Sequence, residues 1–412
     1  MNASTTKTNL LGLTRSELEA YVVGLGEKPF RARQLHKWLY KSIEGDFEKM
    51  TDLAKSFRQR LADVAEVRTP AIKLSQVSAD GTRKWLLYMD DSRKVTLADL
   101  DAIDARQCIE MVYIPEPGRG TLCISSQIGC AMDCTFCSTA QQGFNRNLTT
   151  AEIVGQVWMA ERELRALAVP AIDEAIEDTA DDSAANADDV AAPVGAKRTR
   201  LITNIVFMGM GEPLANYRNV IPATEIFMDD LGFDISRRRV TISTSGLVPQ
   251  MMKLAEETNC ALAVSLHAPT DELRDQLVPI NRKHKIADLL DACWHYLNKQ
   301  NARSITFEYV MLDGVNDQPE HAMQLVKLLR GHPGKVNLIP FNPFPNTRYK
   351  RSPAPVIERF RELLNTNGVT ATTRRTRGDD IDAACGQLVG RVQDRTLNRM
   401  GDRLRNIRVV AG

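Results

Sequence analysis

Three cysteines fall within eight residues, in Cys130-Ala-Met-Asp-Cys134-Thr-Phe-Cys137. A cubic iron-sulfur cluster takes one thiolate per iron, so thiols at this spacing can wrap one corner of a cube and fill three of its four irons. The fourth iron is left open to another ligand. A structural zinc ion normally takes four protein ligands, and no nearby His or fourth Cys completes such a set. The chain has eight cysteines in 412 residues, four of them between Cys123 and Cys137. That is too few for a disulfide scaffold, and clustered thiols in a reducing compartment point to metal binding or redox chemistry. Read without further context, Cys123 is a strand-core thiol and Glu110 a solvated strand carboxylate, while Cys108, Cys260 and Cys293 are small buried hydrophobes.

Other polar residues stand at the ends of apolar runs. Asn204-Ile-Val-Phe-Met208 leads into Gly209-Met-Gly211-Glu212-Pro213, where glycines let backbone approach a ligand and the carboxylate can pair with an ammonium group. Ser243, then Ser265-Leu266-His267, then Asn342 follow three later runs. Such scattered positions act together only if the fold gathers them. Strands are predicted at 121–125, 201–208, 239–243, 261–265, 304–311 and 335–340, with helical patterns between them. Six repeats of strand then helix predict an α/β fold, a parallel sheet curled into a partial TIM-type (βα)6 barrel, which brings the C-terminal strand ends to one face.

Residues 1–100 read as a small helical accessory domain that is expected to bind RNA backbone, with a purely structural appendage as the alternative. Thr14-Arg-Ser-Glu17 has the pattern of a capping box, helices are predicted near 30–42 and 52–64, and short strands near 72–77 and 84–89. The barrel is expected over 101–372, interrupted at 171–198 by an acidic insertion, with a C-terminal extension over 373–412. The stretch 171–196 holds eight acids and no Lys or Arg, so the rest of a chain of net charge +1 carries +9. This Ala- and Asp-rich stretch reads as solvated. The basic remainder, with Arg237, Arg238 and Arg239 contiguous and Arg374, Arg375 and Arg377 crowded together, suits a polyanionic partner, although charge runs are often only solvated faces. No apolar run approaches the roughly 20 residues of a spanning helix. The start lacks a secretory pattern, and a cytoplasmic monomer without membrane contact is expected.

The triple-cysteine spacing, followed by small polar residues and a helix opening at Thr149-Thr-Ala-Glu152, resembles the radical S-adenosylmethionine superfamily. The Gly-Met-Gly-Glu-Pro turn resembles that superfamily's turn after the second strand. The resemblance implies a 4Fe-4S cluster on Cys130, Cys134 and Cys137, with S-adenosylmethionine contacted by Gly211, Glu212, Ser243, Ser265, Leu266, His267 and Asn342. The stretches 239–246, 264–269, 337–344 and 377–387 are similar to the RlmN/Cfr family, whose members methylate adenosine in RNA. That similarity runs over almost the whole chain outside the acidic insertion and the first residues. It implies methylation at adenine C2 in 23S rRNA and tRNA, two S-adenosylmethionine molecules consumed per methyl group, and a low-potential donor such as flavodoxin or ferredoxin. It also implies that Cys385 carries the methyl group, that Glu110 accepts the C2 proton, and that Cys123 resolves the intermediate through a transient disulfide with Cys385. Two other readings are a Cfr-like methylation at C8 and a non-enzymatic RNA-binding assembly factor with a structural metal.

Overall fold

Thr14 opens the first helix, α1 (Arg15–Gly24): its hydroxyl accepts from the Glu17 amide, and its own amide donates to Glu17 Oε2 at 2.8 Å. This is the reciprocal cap that the sequence predicts. The next helix, α2 (Pro29–Tyr40), starts on a proline, whose fixed φ and missing N–H suit the first turn. A third, α3 (Lys55–Val64), completes the N-terminal group, which is closed by a short parallel pair between β1 (Thr8–Asn9) and β2 (Ala65–Glu66). The computed structural model describes residues 7–89, 107–177, 200–302, 304–375, 377, 378 and 381, with only the backbone described over 169–177.

The buried faces of these helices join one apolar core with the rest of the molecule through Leu18, Val22, Leu35, Leu39, Phe57 and Leu61. Each such side chain contributes about 1.5–3 kcal/mol by leaving water. Arg15 forms ion pairs with Asp229 and Asp230, and the Trp158 indole donates to the Leu39 carbonyl at 2.7 Å.

The main sheet has ten strands in the order β14-β13-β12-β11-β10-β9-β6-β5-β4-β3. Its antiparallel part is β3 (Ala71–Val77), β4 (Arg83–Tyr88) and β5 (Cys108–Glu116), which meets β6 (Arg119–Cys123). From β6 onward all pairs are parallel, through β9 (Asn204–Phe207), β10 (Val240–Thr244), β11 (Ala261–Ser265), β12 (Ile305–Met311), β13 (Gly334–Pro340) and β14 (Thr370–Thr373). A separate hairpin joins β7 (Gln127–Gly129) to β8 (Phe144–Asn147). The six predicted strands are present. The sheet exceeds them by β14 and by the antiparallel strands, and β3 and β4, inside the first hundred residues, belong to it.

Two observations show that the sheet curls and is hollow. Thr121 on β6 and Thr373 on β14 line one cavity, although six strand spacings in a flat sheet would separate them by about 29 Å. The outward face is apolar, with Leu122, Ile205, Ile242, Leu262, Phe307 and Leu338 fully or nearly fully buried. The inward positions beside them are Thr121, Asn204, Thr241, Thr306 and Asn337, and those on β9 to β13 are half-exposed. A barrel filled by branched apolar layers would have the opposite pattern.

Short helix α4 (Ser138–Gln141) follows the third clustered cysteine, and α5 (Thr150–Glu177) follows the hairpin. Thr149 caps α5 as the sequence predicts: the Glu152 amide donates to the Thr149 hydroxyl at 3.2 Å and the Thr149 amide to Glu152 Oε2 at 2.8 Å. The stretch read as a solvated insertion from 171 is helical through Glu177, because Ala and Glu propagate a helix at little cost. Residues 178–199 lie outside the described residues. The remaining crossovers are α6 (Tyr217–Met228), α7 (Val248–Glu257), α8 (Asp271–Leu277), α9 (Ile286–Gln300), α10 (Pro319–Leu329) and α11 (Ala354–Thr366).

Candidate active site

The C-terminal strand ends surround a pocket lined by Cys130, Cys134, Cys137, Gly211, Glu212, Ser243, Ser265, His267 and Asn342. These nine positions, dispersed over more than two hundred residues of sequence, meet in one place. Leu266 is fully buried and is not among the residues that line the pocket. Cys385 lies outside the described residues.

Backbone bonds hold the cysteine loop. The Cys130 amide donates to the Gly143 carbonyl at 2.9 Å, the Cys137 amide to the Cys134 carbonyl at 3.1 Å, and the Thr135 amide to the Leu277 carbonyl of α8 at 3.1 Å. Burial, then the neighbouring thiols, push the Cys130 and Cys134 thiols well above the usual range. Three thiols facing one cavity become thiolates together only beside strong positive charge, which an iron-sulfur core would provide. The three thiols line one pocket and can give one thiolate to each of three irons of a cube, so the donor set fits the cluster.

Gly209 and Gly211 bring the backbone against residues 124–127, the segment that leads from β6 toward the cysteine loop. A Cβ on Gly209 would fall 2.7 Å from the Ile124 carbonyl oxygen, and one on Gly211, where φ is +98°, would fall 2.5 Å from Gln127. Glu212 is buried and held firmly: the Ser245 amide and hydroxyl donate to Oε2 at 2.7 and 2.9 Å, and the Leu214 amide to Oε1 at 3.0 Å. Burial raises its pKa while these donors act against that rise. An ammonium group entering the pocket would favour the ionised form further.

Ser243 and Ser265 both donate to Glu308 Oε2, at 2.7 and 3.3 Å. Their protons are thus committed, and they turn acceptor lone pairs toward the cavity. His267 sits at φ +60°, a conformation fixed by Asn316, whose side-chain amide donates to the carbonyls of His267 at 2.9 Å and Val310 at 2.6 Å. The Val310 amide donates to His267 Nδ1 at 3.1 Å, which puts the ring proton on Nε2. Burial and the nearby Arg274 lower the His267 pKa to about 3, so the ring is neutral. Asn342 Oδ1 accepts from Arg351.

Arg274 on α8 has no exposed surface. It donates to the carbonyls of Leu266 (3.0 Å), Ser245 (2.7 Å) and Ser265 (3.0 Å) and to Asn281 Oδ1 (2.9 Å). Burial lowers its pKa to about 10, which leaves it charged near neutrality. It ties the ends of β10 and β11 to the helix that also anchors the cysteine loop.

Glu110 and Cys123 do not line the upper pocket; they lie below it on the inward face. Cys123 is the register partner of Val112 on one side and Val206 on the other, and Glu110 is one inward position beyond Val112. The Lys84 ammonium lies 3.6 Å from Glu110 Oε1, each side chain less than a tenth exposed. Ser125 donates to the Glu110 carbonyl and accepts from the Met210 amide, both at 2.8 Å, which ties β5 to the glycine turn. Sequence reasoning missed Arg274, Glu308, Asn316 and Lys84. Glu308 did carry a signal, since a carboxylate inside the apolar run Ile305–Met311 needs a reason.

Comparison with known proteins agrees with this geometry. Residues 8–67 match the model of the ribosomal RNA large subunit methyltransferase N-terminal domain, and residues 181–326 match that of the radical SAM superfamily. Two relatives from Pseudomonas putida, strains W619 and GB-1, are each named dual-specificity RNA methyltransferase RlmN. Each is 50% identical over 397 residues, covering 96% of this chain and 93% of theirs. The crystal structure of a radical SAM methyltransferase from Sphaerobacter thermophilus is 39% identical with a TM-score of 0.77, covering 93% of this chain and 99% of that one. Half-identity across nearly the full length of both chains, joined to a three-cysteine pocket at the ends of parallel strands, means that the chain belongs to the RlmN family of radical S-adenosylmethionine RNA methyltransferases.

Proposed function

We propose that the chain methylates C2 of adenosine in 23S ribosomal RNA at the peptidyl-transferase centre and in tRNA at the adenosine 3′ of the anticodon. The observation that carries this reading is the pairing of the cofactor pocket with two reactive side chains, Glu110 and Cys123, on the inward wall beneath it. Adenine C2 is an electron-poor carbon between two ring nitrogens, so it does not attack a sulfonium methyl as a nucleophile. Cys130, Cys134 and Cys137 would hold a 4Fe-4S cluster, which when bound would supply reductive cleavage of the sulfonium. A low-potential donor of the flavodoxin or ferredoxin type suits that chemistry.

The protein's own residues supply the rest. Glu212, Ser243, Ser265, the Leu266 backbone, His267 and Asn342 orient the cofactor, and Arg274 and Asn316 hold those groups in place. Neutral His267 offers a hydrogen-bond donor at Nε2 without adding charge beside the thiols. The Cys385 thiol carries the methyl group to the base, and Glu110 takes the C2 proton. The Cys123 thiolate then attacks the Cys385 sulfur, so the sulfur–carbon bond to the base breaks as the disulfide forms. The freed carbon takes a proton to become the methyl group, the surplus electron returns to the donor, and an external reductant restores both thiols. Lys84 complements the carboxylate charge of Glu110.

Mass spectrometry of digested ribosomal and transfer RNA tests the reading. Cells with the wild-type chain should contain 2-methyladenosine, and cells with Cys385→Ala should contain none. Finding 8-methyladenosine instead would assign the Cfr-like C8 reaction, and unchanged methylation in the Cys385→Ala strain would remove that thiol from the mechanism.

A further inference from the structure

A second cavity, of about 760 Å³, opens at the other end of the barrel, where β6 and β9 to β13 begin, and the chain at and just past the end of β14 closes one side of it. Thr121, Asn204, Thr241, Thr306 and Asn337 line its wall. Arg237, Arg238, Lys335 and Arg375 line it as well and are exposed. Glu116 is the only acid among the described lining residues. Hydroxyl and amide groups inside, with cations around the opening, match a nucleotide whose base and sugar need hydrogen bonds and whose neighbouring phosphates need positive charge.

Three features connect this cavity to the chemistry. Met208 lines both the lower cavity and the cofactor pocket, so the two spaces adjoin at this side chain. Strand register then orders the inward wall between them. Ile114 pairs with Thr121 at the lower level, and Val112 pairs with Cys123 one inward step above, with Glu110 beyond that. A base entering from below meets Thr121, then the Cys123 thiol, then the Glu110 carboxylate, before the cofactor. Finally, the chain is pinned at this end seven residues before Cys385, where Gly378 donates to Asp80 Oδ2 at 3.3 Å and Arg377 lies 3.7 Å from the same oxygen.

From these features we infer that the substrate RNA docks at the lower end of the barrel. The target nucleotide enters through the 760 Å³ cavity, and the flanking phosphodiesters rest on Arg237, Arg238, Lys335 and Arg375. This rests on the RNA methyltransferase reading and adds the face and direction of approach. The shared ligand chemistry is an RNA strand with one nucleotide turned out, whether from tRNA or from ribosomal RNA.

The test uses the full-length, cluster-loaded protein, with a tRNA transcript in one arm and a 23S rRNA fragment containing the target adenosine in the other. Binding of each is measured from low to moderate salt for wild type and for Arg237→Glu/Arg238→Glu. Loss of two phosphate contacts should reduce the slope of log affinity against log salt by about 1.4–1.8. Affinity at low salt should fall at least about tenfold. Iron content and S-adenosylmethionine affinity of the variant serve as controls for folding. The neutral pair Arg237→Gln/Arg238→Gln separates lost attraction from added repulsion and should show the same slope change. Weakening in one arm alone assigns the cavity to that RNA. Unchanged slopes and affinities in both arms, with wild-type methylation intact, would overturn the docking site and leave the methylation reading standing.

Discussion

The two ends of the barrel solve different recognition problems. At the upper end the polar groups are committed to one another: Ser243 and Ser265 to Glu308, Glu212 to Ser245 and Leu214, and Arg274 to three carbonyls and Asn281. At the lower end Arg237, Arg238, Lys335 and Arg375 are exposed, and the inner wall is half-open to solvent. A small cofactor that must react at one atom requires groups fixed in advance. A polymer held through its phosphates requires charge with freedom to adjust, because backbone contacts position without demanding a unique geometry.

This contrast breaks or sharpens under substitution. The largest effect is expected at the upper end: Cys134→Ala should abolish cluster binding and reduce RNA methylation below detection, read from iron and sulfide content and from RNA digests. Methylation persisting in that variant would dissolve the distinction between the two ends. At the lower end Asn204→Trp should fill the cavity, reducing methylation by about a hundredfold while S-adenosylmethionine binding stays within about threefold of wild type. Equal loss of both activities would mean that the two spaces do not act separately. Arg274→Met orphans three buried carbonyls, which costs about 3 kcal/mol in unfolding free energy. It should also weaken S-adenosylmethionine binding about tenfold, with Arg274→Lys intermediate; urea titration and calorimetry measure the two effects.

The smallest effect lies outside the barrel. His36 is fully buried, with Asp229 Oδ1 3.9 Å from its Nδ1. Burial lowers its pKa below the ordinary 6.5 despite the Leu231 backbone and Asp229 nearby. The unfolded chain therefore binds the extra proton in the window between the folded pKa and 6.5. The stability tied to a neutral His36 is complete above 6.5 and falls with pH through that window, by at most about 1.4 kcal/mol per unit. Thermal melts at pH 7.5 and 5.5 should show a larger acid loss for wild type than for His36→Leu. Identical losses would exclude the histidine as the cause.

The parallel strands were legible because apolar runs of strand length stand between glycines, prolines and helical patterns. Ala261–Ser265 matches its expected bounds, while β9 begins at Asn204, three residues inside its expected start. The pocket was legible where a residue type is tied to chemistry, as with the clustered cysteines and the Gly209–Pro213 turn. It was hidden where burial comes only from tertiary packing. Thr270-Asp-Glu-Leu-Arg274-Asp-Gln reads as an exposed, charged helix, yet Arg274 is sealed inside. The hollowness of the barrel was written in the sequence as Asn204, Thr241, Thr306 and Asn337 within strand runs, but alternation alone does not say whether such residues face bulk solvent or an internal cavity.

Helix α8 has a thermodynamic consequence. One turn of it grips the iron-binding loop at Thr135, and another, through Arg274, grips the strand termini that meet the cofactor. Ordering either partner stiffens the helix and thereby lowers the cost of ordering the other, and such linkage is reciprocal. S-adenosylmethionine should therefore slow iron loss to a chelator, and this protection should shrink in Arg274→Met by more than its weaker binding alone explains. Equal protection of both proteins at saturating cofactor would show that the helix transmits nothing.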